Sequence, residues 1–152
     1  MISSSQYVVF LLDEQRYTLP LTRVERVVSA TYITPLPQAP PIIRGVINIQ
    51  GQIVPVVNLG KRFHLPEREL ELSDQFLVVH TSRRIVALVV DTVLDVADFS
   101  THEVTPTTHI VLGLGFISGV VKTADEMFLI HNLDSCLLLD EEQALDGVLQ
   151  AA

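Results

Sequence analysis

The side chains with catalytic or metal-binding potential are scattered along this 152-residue chain. The histidines show neither an i, i+4 pair nor HExxH spacing, and the single cysteine, Cys136, has no CxxC partner. His131 falls inside an apolar run, where a histidine is usually a core residue rather than a ligand or base. Asp91 and Asp95 could pair as carboxylates, but neither a nucleophile nor a metal cluster accompanies them. We therefore expect no catalytic site and no metal site. The histidines are His64, His80, His102, His109 and His131.

The glycine-rich segment does not predict a cofactor site either. Gly113 and Gly115 match two positions of a dinucleotide fingerprint, but the third glycine is misplaced and no strand-to-helix unit surrounds them. We interpret these glycines as loop residues and predict no cofactor. This leaves recognition of other proteins as the expected function.

Charge and composition restrict the class of partner. The net charge is −8, from 10 basic and 18 acidic residues, which argues against nucleic acid because binding phosphates requires a basic face. The longest uncharged stretch, 104–121, contains a proline and three glycines and is not apolar enough to span a membrane. The N-terminus lacks the features of a signal peptide, and a single cysteine suits a reducing compartment. We expect one cytoplasmic domain without membrane insertion.

Short apolar runs separated by polar links predict an all-β fold. Residues 7–12 and 17–21 flank one link, and residues 46–49 and 53–57 flank the link Gln50-Gly51-Gln52, so each pair of runs predicts a hairpin. Pro55 cannot donate a ladder hydrogen bond, which predicts an edge or a bulge at that point.

Helix signals are few. Asn58 is placed to cap a short helix that starts at Leu59. Thr22 and Glu25 form a capping-box pattern, which predicts a helical turn over 23–28. A second such pattern, Asp140 with Gln143, predicts a C-terminal helix over about 138–149.

The chain also contains an internal repeat. The segment GVINIQGQIVPVVNL (45–59) aligns without a gap to GVVKTADEMFLIHNL (119–133), with four of 15 positions identical. Residues 7–21 correspond in pattern to 76–90, and Glu25-Arg26-Val27 to Leu94-Asp95-Val96. Repeats of this kind predict two similar β-rich subdomains, about 7–65 and 72–135. Each is too small for a self-sufficient core, so we expect the two to pack together and leave a groove between them.

The segment from Pro35 to Leu59 resembles the signature of the CheW family. It combines a proline-bearing loop, a glycine-led strand with an asparagine, a turn glycine and an apolar-Pro-apolar strand. The similarity extends over about residues 6–139. It implies a single CheW-like domain over 1–152, built from two SH3-like β-barrel subdomains, short helical turns and a C-terminal helix.

The resemblance implies a non-enzymatic adaptor in bacterial chemosensory arrays at the inner face of the membrane. Its partners would be the cytoplasmic tip of methyl-accepting receptors and the regulatory domain of a CheA-type histidine kinase. The kinase contact would use the apolar barrel ends. By motif position, the receptor-facing residues would be Val24, Val27, Gly45, Asn48, Gln50, Gly51, Ala87, Val93 and Val96.

Two positions depart from the family pattern, and they keep other functions open. Gln50 replaces the usual arginine before the turn glycine, and Asn58 replaces the usual aspartate. An amide is a weaker, neutral substitute for the multi-donor guanidinium. One alternative is a divergent regulator of a non-chemotaxis kinase pathway, such as surface motility, without receptor coupling. Another is a small β-barrel ligand binder or enzyme, which would require a deep pocket with convergent polar groups.

Overall fold

The computed structural model describes residues 4–106 and 115–151, and within them strands dominate. The strands are β1 (Ser4–Leu12), β2 (Gln15–Pro20), β3 (Val24–Ser29), β4 (Ile43–Ile49), β5 (Gln52–Val57), β6 (Gln75–His80), β7 (Ile85–Val90), β8 (Thr92–Ser100), β9 (Val104–Pro106), β10 (Ile117–Lys122) and β11 (Met127–His131). The α-helices are α1 (Leu59–Arg62) and α2 (Leu139–Ala151), and 3-10 helices cover Leu21–Arg23 and Leu133–Ser135.

The strands form two sheets, and neither sheet comes from one contiguous half of the chain. Sheet A has the order β8-β1-β2-β11-β10-β9, and sheet B the order β3-β6-β7-β5-β4. The N-terminal hairpin β1–β2 therefore lies with β10–β11, and the hairpin β6–β7 lies with β4–β5. The expected boundaries, 7–65 and 72–135, are wrong because these two equivalent hairpins are exchanged between the halves. The hairpin β1–β2 pairs with the second-half hairpin through the parallel strands β2 and β11. The hairpin β6–β7 pairs with the first-half hairpin through the parallel strands β7 and β5.

The repeat itself is confirmed. Both β4–β5 and β10–β11 are antiparallel hairpins, and the register shifts just before Gly45 in one and Gly119 in the other. Each hairpin ends at an asparagine, Asn58 or Asn132, with the same φ of −79° before a short helix. The expected cap is present at the first copy, where Asn58 Oδ1 accepts the Lys61 N–H at 3.0 Å. The two sheets are thus related subdomains.

The helical turn predicted over 23–28 is wrong, because this segment is mostly strand β3. It pairs antiparallel with β6, from Val24 opposite Val79 to Ser29 opposite Gln75. Three β-branched valines suit this conformation, and pairing with β6 overrides the local capping pattern. The register of β3 shifts at Glu25. The predicted match to the second half holds, since the register of β8 on β1 shifts at Leu94.

Pro55 lies in an interior strand, which corrects the expected edge or bulge. Its cross-strand partner on β4 is Val46, whose N–H and carbonyl both bond to Thr34 on the far side, at 2.8 and 3.0 Å. Val46 and Pro55 are therefore a non-hydrogen-bonded pair, and no donor is needed there. The parallel ladder to β7 begins one residue later, at Val56.

One core is shared by both sheets. Phe10 and Leu19 of sheet A and Leu77 and Leu88 of sheet B are all fully buried in it. Strands β6 and β7 are apolar on both faces. Alternate residues point into this shared core and into a second apolar cluster, which the strands of sheet B enclose. The packing of the two subdomains is confirmed. Residues of both sheets, among them Leu12 and Arg44, line a small cavity between them.

The C-terminal helix is confirmed as α2. Leu145 is fully buried in the shared core, and Arg62 and Arg84 pair with Glu141 and Glu142 on the helix. The predicted cap, Asp140 with Gln143, is wrong. Glu141 instead accepts the Leu138 N–H at 2.7 Å, because the helix begins two residues earlier than that cap requires.

Candidate protein-docking surface

The turn between β4 and β5 is an exposed two-residue loop. Gln50 and Gly51 have φ values of 51° and 87°, the positive pair that a type I′ hairpin turn requires. The side chain of Asn48 stabilises the turn, because its Oδ1 accepts a hydrogen bond from the Gly51 N–H at 2.7 Å. All three of these residues are exposed, as a docking role requires.

Strand β3 comes next to this turn. The Arg26 Nη2 lies 3.4 Å from the Gln50 Oε1, so the edge strand of sheet B meets the hairpin tip at the other end of the sheet. Val27 is 39% exposed, while Val24 is half-buried against the shared core. The structure thus places five of the sequence-predicted residues, Val24, Val27, Asn48, Gln50 and Gly51, on β3 and the β4–β5 hairpin.

Two of the predicted site residues are buried. Ala87 has no exposed surface and pairs with Val56 and Val78 inside sheet B. Gly45 is buried with φ of +151°, and a Cβ there would lie 2.2 Å from the Thr34 carbonyl oxygen. These residues shape the sheet beneath the surface and are not available for direct contact.

The remaining two, Val93 and Val96, lie on β8 at the edge of sheet A. Val93 precedes the register shift at Leu94 and Val96 follows it, just as Val24 and Val27 flank the register shift at Glu25. Val96 is 48% exposed. Val93 is linked to sheet B, since its N–H donates to the Gln75 Oε1 at 2.6 Å. The predicted site therefore divides into a group on sheet B and an equivalent pair on sheet A.

The candidate reactive groups have structural roles. Burial lowers the pKa of His131 to about 4, and its neutral ring donates from Nδ1 to the Phe116 carbonyl oxygen at 2.7 Å. His131 is confirmed as a core side chain. Burial likewise raises the pKa of Cys136 to about 12, which leaves it an unreactive thiol.

Asp91 ties three segments together instead of forming a carboxylate pair with Asp95. It accepts the Asp13 N–H at 2.9 Å and pairs with Arg68, which also binds the buried Asp74 through two hydrogen bonds. Burial opposes ionisation of Asp74, but hydrogen bonds from Arg68 and the Glu71 N–H keep its pKa below the usual range. This clamp was not predicted, because it joins residues that no local pattern connects.

Two of the cavities lie against α2. One of about 190 Å³ lies between the β6–β7 turn and α2, beside Cys136 and Glu142. A wider groove of about 540 Å³ lies between the proline-rich segment and α2, and its described lining has no ionisable side chain. Among the described residues no group of three or more histidines, cysteines or acids could hold a metal. Gly113, weighed above for a cofactor, lies outside the described residues.

The chain is similar to proteins of one family over nearly its whole length. A family model for the CheW-like domain matches residues 6–145. The chemotaxis protein CheW of Treponema pallidum is 28% identical over 146 residues, covering 92% of this chain and 86% of that protein. The chemotaxis protein CheW of Thermotoga maritima is 30% identical over 140 residues, covering 91% and 90%.

The similarity extends to three dimensions. The crystal structure of the scaffolding protein TtCheW from Thermoanaerobacter tengcongensis matches with a TM-score of 0.83 at 30% identity, over 91% of this chain and 96% of that one. This match confirms the all-β architecture of two SH3-like subdomains with a C-terminal helix. In the part of the chain that is described, we find no helix with the length and apolarity to cross a membrane. The chain belongs to the CheW-like family of chemotaxis scaffolding proteins.

Proposed function

We propose that this chain is a non-catalytic adaptor that couples methyl-accepting receptors to a CheA-type histidine kinase. It would bind the cytoplasmic tip of the receptor and the regulatory domain of the kinase, within arrays at the cytoplasmic face of the membrane. The observation that carries the proposal is the match, over 91% of the chain, to a protein described as a scaffold.

The receptor contact is assigned to β3 and the β4–β5 turn. Val27 is exposed there, and Asn48 fixes the turn conformation in the unbound chain. A preformed loop loses little conformational entropy on binding, which favours its use as a contact. Val24 supports this surface from the shared core, and Gly45 and Ala87 would act only through the shape of sheet B.

The equivalent pair on β8, Val93 and Val96, would extend the receptor surface onto sheet A. The hydrogen bond from Val93 to Gln75 connects the two parts, because Gln75 also pairs with the end of β3. The kinase contact is assigned to the apolar ends of the barrels. Two partners could then bind at the same time, as an adaptor requires.

One observation favours a second candidate, a kinase regulator without receptor coupling. Gln50 is exposed in the hairpin turn, at the position where the resembled family usually has arginine. A neutral amide forms weaker contacts than a guanidinium to a charged partner. Measuring receptor affinity for Gln50→Arg tests this candidate, and an unchanged affinity would count against altered coupling.

The direct test is retention on the immobilised chain. A purified receptor cytoplasmic fragment and a purified kinase regulatory domain are applied separately and together. We expect each to be retained alone and both to be retained together. Retention of the kinase domain alone would support the second candidate, and retention of neither would overturn the proposal.

A matched pair of variants locates the receptor contact. Val27→Glu places a charge on β3 and should abolish retention of the receptor fragment while the kinase domain is still retained. Leu72→Glu makes the same change on the connector between the halves, where the side chain is 95% exposed, and should leave both partners bound. Equal loss in both variants would contradict the assignment to β3.

A further inference from the structure

Arg26 is a cation without a carboxylate partner in a chain rich in acids. Six other arginines lie within 3.8 Å of a carboxylate oxygen; they are Arg16, Arg23, Arg62, Arg68, Arg83 and Arg84. Among the described residues only Arg26 and Arg44 have no such ion pair, and Arg44 donates to the Arg68 carbonyl oxygen at 3.2 Å. Arg26 is therefore the arginine whose charge the fold leaves least compensated.

The hydrogen bonding of Arg26 is also incomplete. A guanidinium has five N–H donors, and the recorded bond from Arg26 is a single contact of 3.4 Å to the neutral Gln50 amide. Charge-assisted hydrogen bonds are normally about 2.7–2.9 Å long. The Nε is buried and has no partner within the described protein. The buried Nε is out of reach of a partner, but an acceptor that approaches from solvent would find unused donors on the two terminal nitrogens of the guanidinium.

Burial alternates along β3, so Arg26 is half-buried while Val27 is 39% exposed. Successive side chains of a strand point to opposite faces, and Val27 therefore lies on the other face of β3 from Arg26. The Arg26 guanidinium lies at the hairpin tip, where it contacts Gln50. The planar fork of the guanidinium matches a carboxylate by two parallel hydrogen bonds.

The second half of the chain provides an internal comparison. Asp95 occupies the position of Arg26 on β8, next to the exposed Val96 as Arg26 is next to Val27. The two edge strands therefore present opposite charges at equivalent places. A partner that brings a carboxylate is favoured at β3 and repelled at β8.

We propose that Arg26 is the specificity-determining residue of the receptor contact and pairs with a carboxylate on the receptor tip. This inference rests on the proposed receptor coupling and deepens it, because it names the chemistry that the partner must supply. Gln50 then serves as the neutral neighbour that keeps Arg26 positioned at the hairpin tip.

The test measures the affinity of a purified receptor cytoplasmic fragment for four forms of the full chain. These are the unmodified chain, Arg26→Gln, Arg26→Lys and the matched control Arg16→Gln, whose arginine already pairs with Glu126. A charge-assisted contact predicts about a tenfold or greater rise in Kd for Arg26→Gln. Arg26→Lys should lose less, and Arg16→Gln should bind like the unmodified chain. Binding of the kinase regulatory domain should be unchanged in all four, which also shows that each is folded.

The outcomes separate the two proposals. If the unmodified chain does not bind the fragment, receptor coupling itself fails. If it binds and Arg26→Gln binds equally well, the role of Arg26 is wrong while coupling stands. Glu→Gln and Asp→Asn substitutions on the fragment then identify the carboxylate through double-mutant cycles. A loss with Arg26→Gln that couples to none of them overturns the carboxylate assignment.

Discussion

Replacing Gly45 by alanine should destabilise the fold before any partner is involved. The new Cβ would lie 2.2 Å from the Thr34 carbonyl oxygen, and φ of +151° is poorly accessible to alanine. Relieving the contact moves Thr34 away and breaks its two hydrogen bonds to Val46, each contributing about 1 kcal/mol. Backbone strain adds about 1–3 kcal/mol. The free energy of unfolding should therefore fall by about 3–5 kcal/mol, a large share of the roughly 5–15 kcal/mol typical of a domain.

The assay is urea unfolding followed by far-ultraviolet circular dichroism, with Gly147→Ala as the control. Gly147 is exposed on α2 and a Cβ there meets no atom within 4 Å, so alanine should stabilise the chain by about 0.5–1 kcal/mol. The same chemical change thus has opposite signs at two sites. A Gly45→Ala chain within 1 kcal/mol of the unmodified protein would refute the packing argument. It would also restore Gly45 as a candidate contact residue.

Two further predictions use the repeat and the buried histidine. Asn58→Ala should lower the free energy of unfolding, measured in urea, by about 1 kcal/mol because it removes the hydrogen bond to the Lys61 N–H. The side chain of Asn132 makes no capping bond, so Asn132→Ala should lower it by less than half as much. Equal losses in the two variants would contradict the capping role. His131 is neutral in the fold down to pH about 4 but ionises near pH 6.5 when unfolded, so its stabilising effect is complete above pH 6.5 and declines as pH falls towards 4. Between pH 7 and 5 the unmodified chain should lose about 2 kcal/mol more than His131→Asn, and parallel losses would show that His131 does not titrate in this range.

Local elements were predictable because they depend on neighbouring residues. The hairpin at Gln50-Gly51 and the cap at Asn58 follow from turn and capping chemistry within a few residues. The internal repeat also survives in three dimensions, since its glycines and asparagines serve the same backbone geometry twice. A gapless similarity therefore indicates equivalent structure even where few residues are identical.

Long-range pairing was not predictable from these patterns. Both halves carry an equivalent hairpin, so apolar periodicity cannot tell whether β1–β2 joins its own half or the other. The same limit explains the error at β3, where pairing with β6 outweighs the local signal of Thr22 and Glu25.

The candidate site was predicted in part for a related reason. Family resemblance assigns positions without regard to burial, so it included the buried Gly45 and Ala87. It did not include Arg26, because the sequence does not show which arginines form ion pairs in the fold. The ion pairs of the other arginines are what distinguish it.

Reconstituted kinase activity tests the adaptor function most directly. Autophosphorylation of the CheA-type kinase is measured with a receptor cytoplasmic fragment, in the presence and absence of this chain. An adaptor predicts that kinase activity responds to the receptor fragment only when the chain is added, and that Val27→Glu removes this response. A kinase whose activity is the same with and without the chain, although both partners bind it, would contradict the proposal.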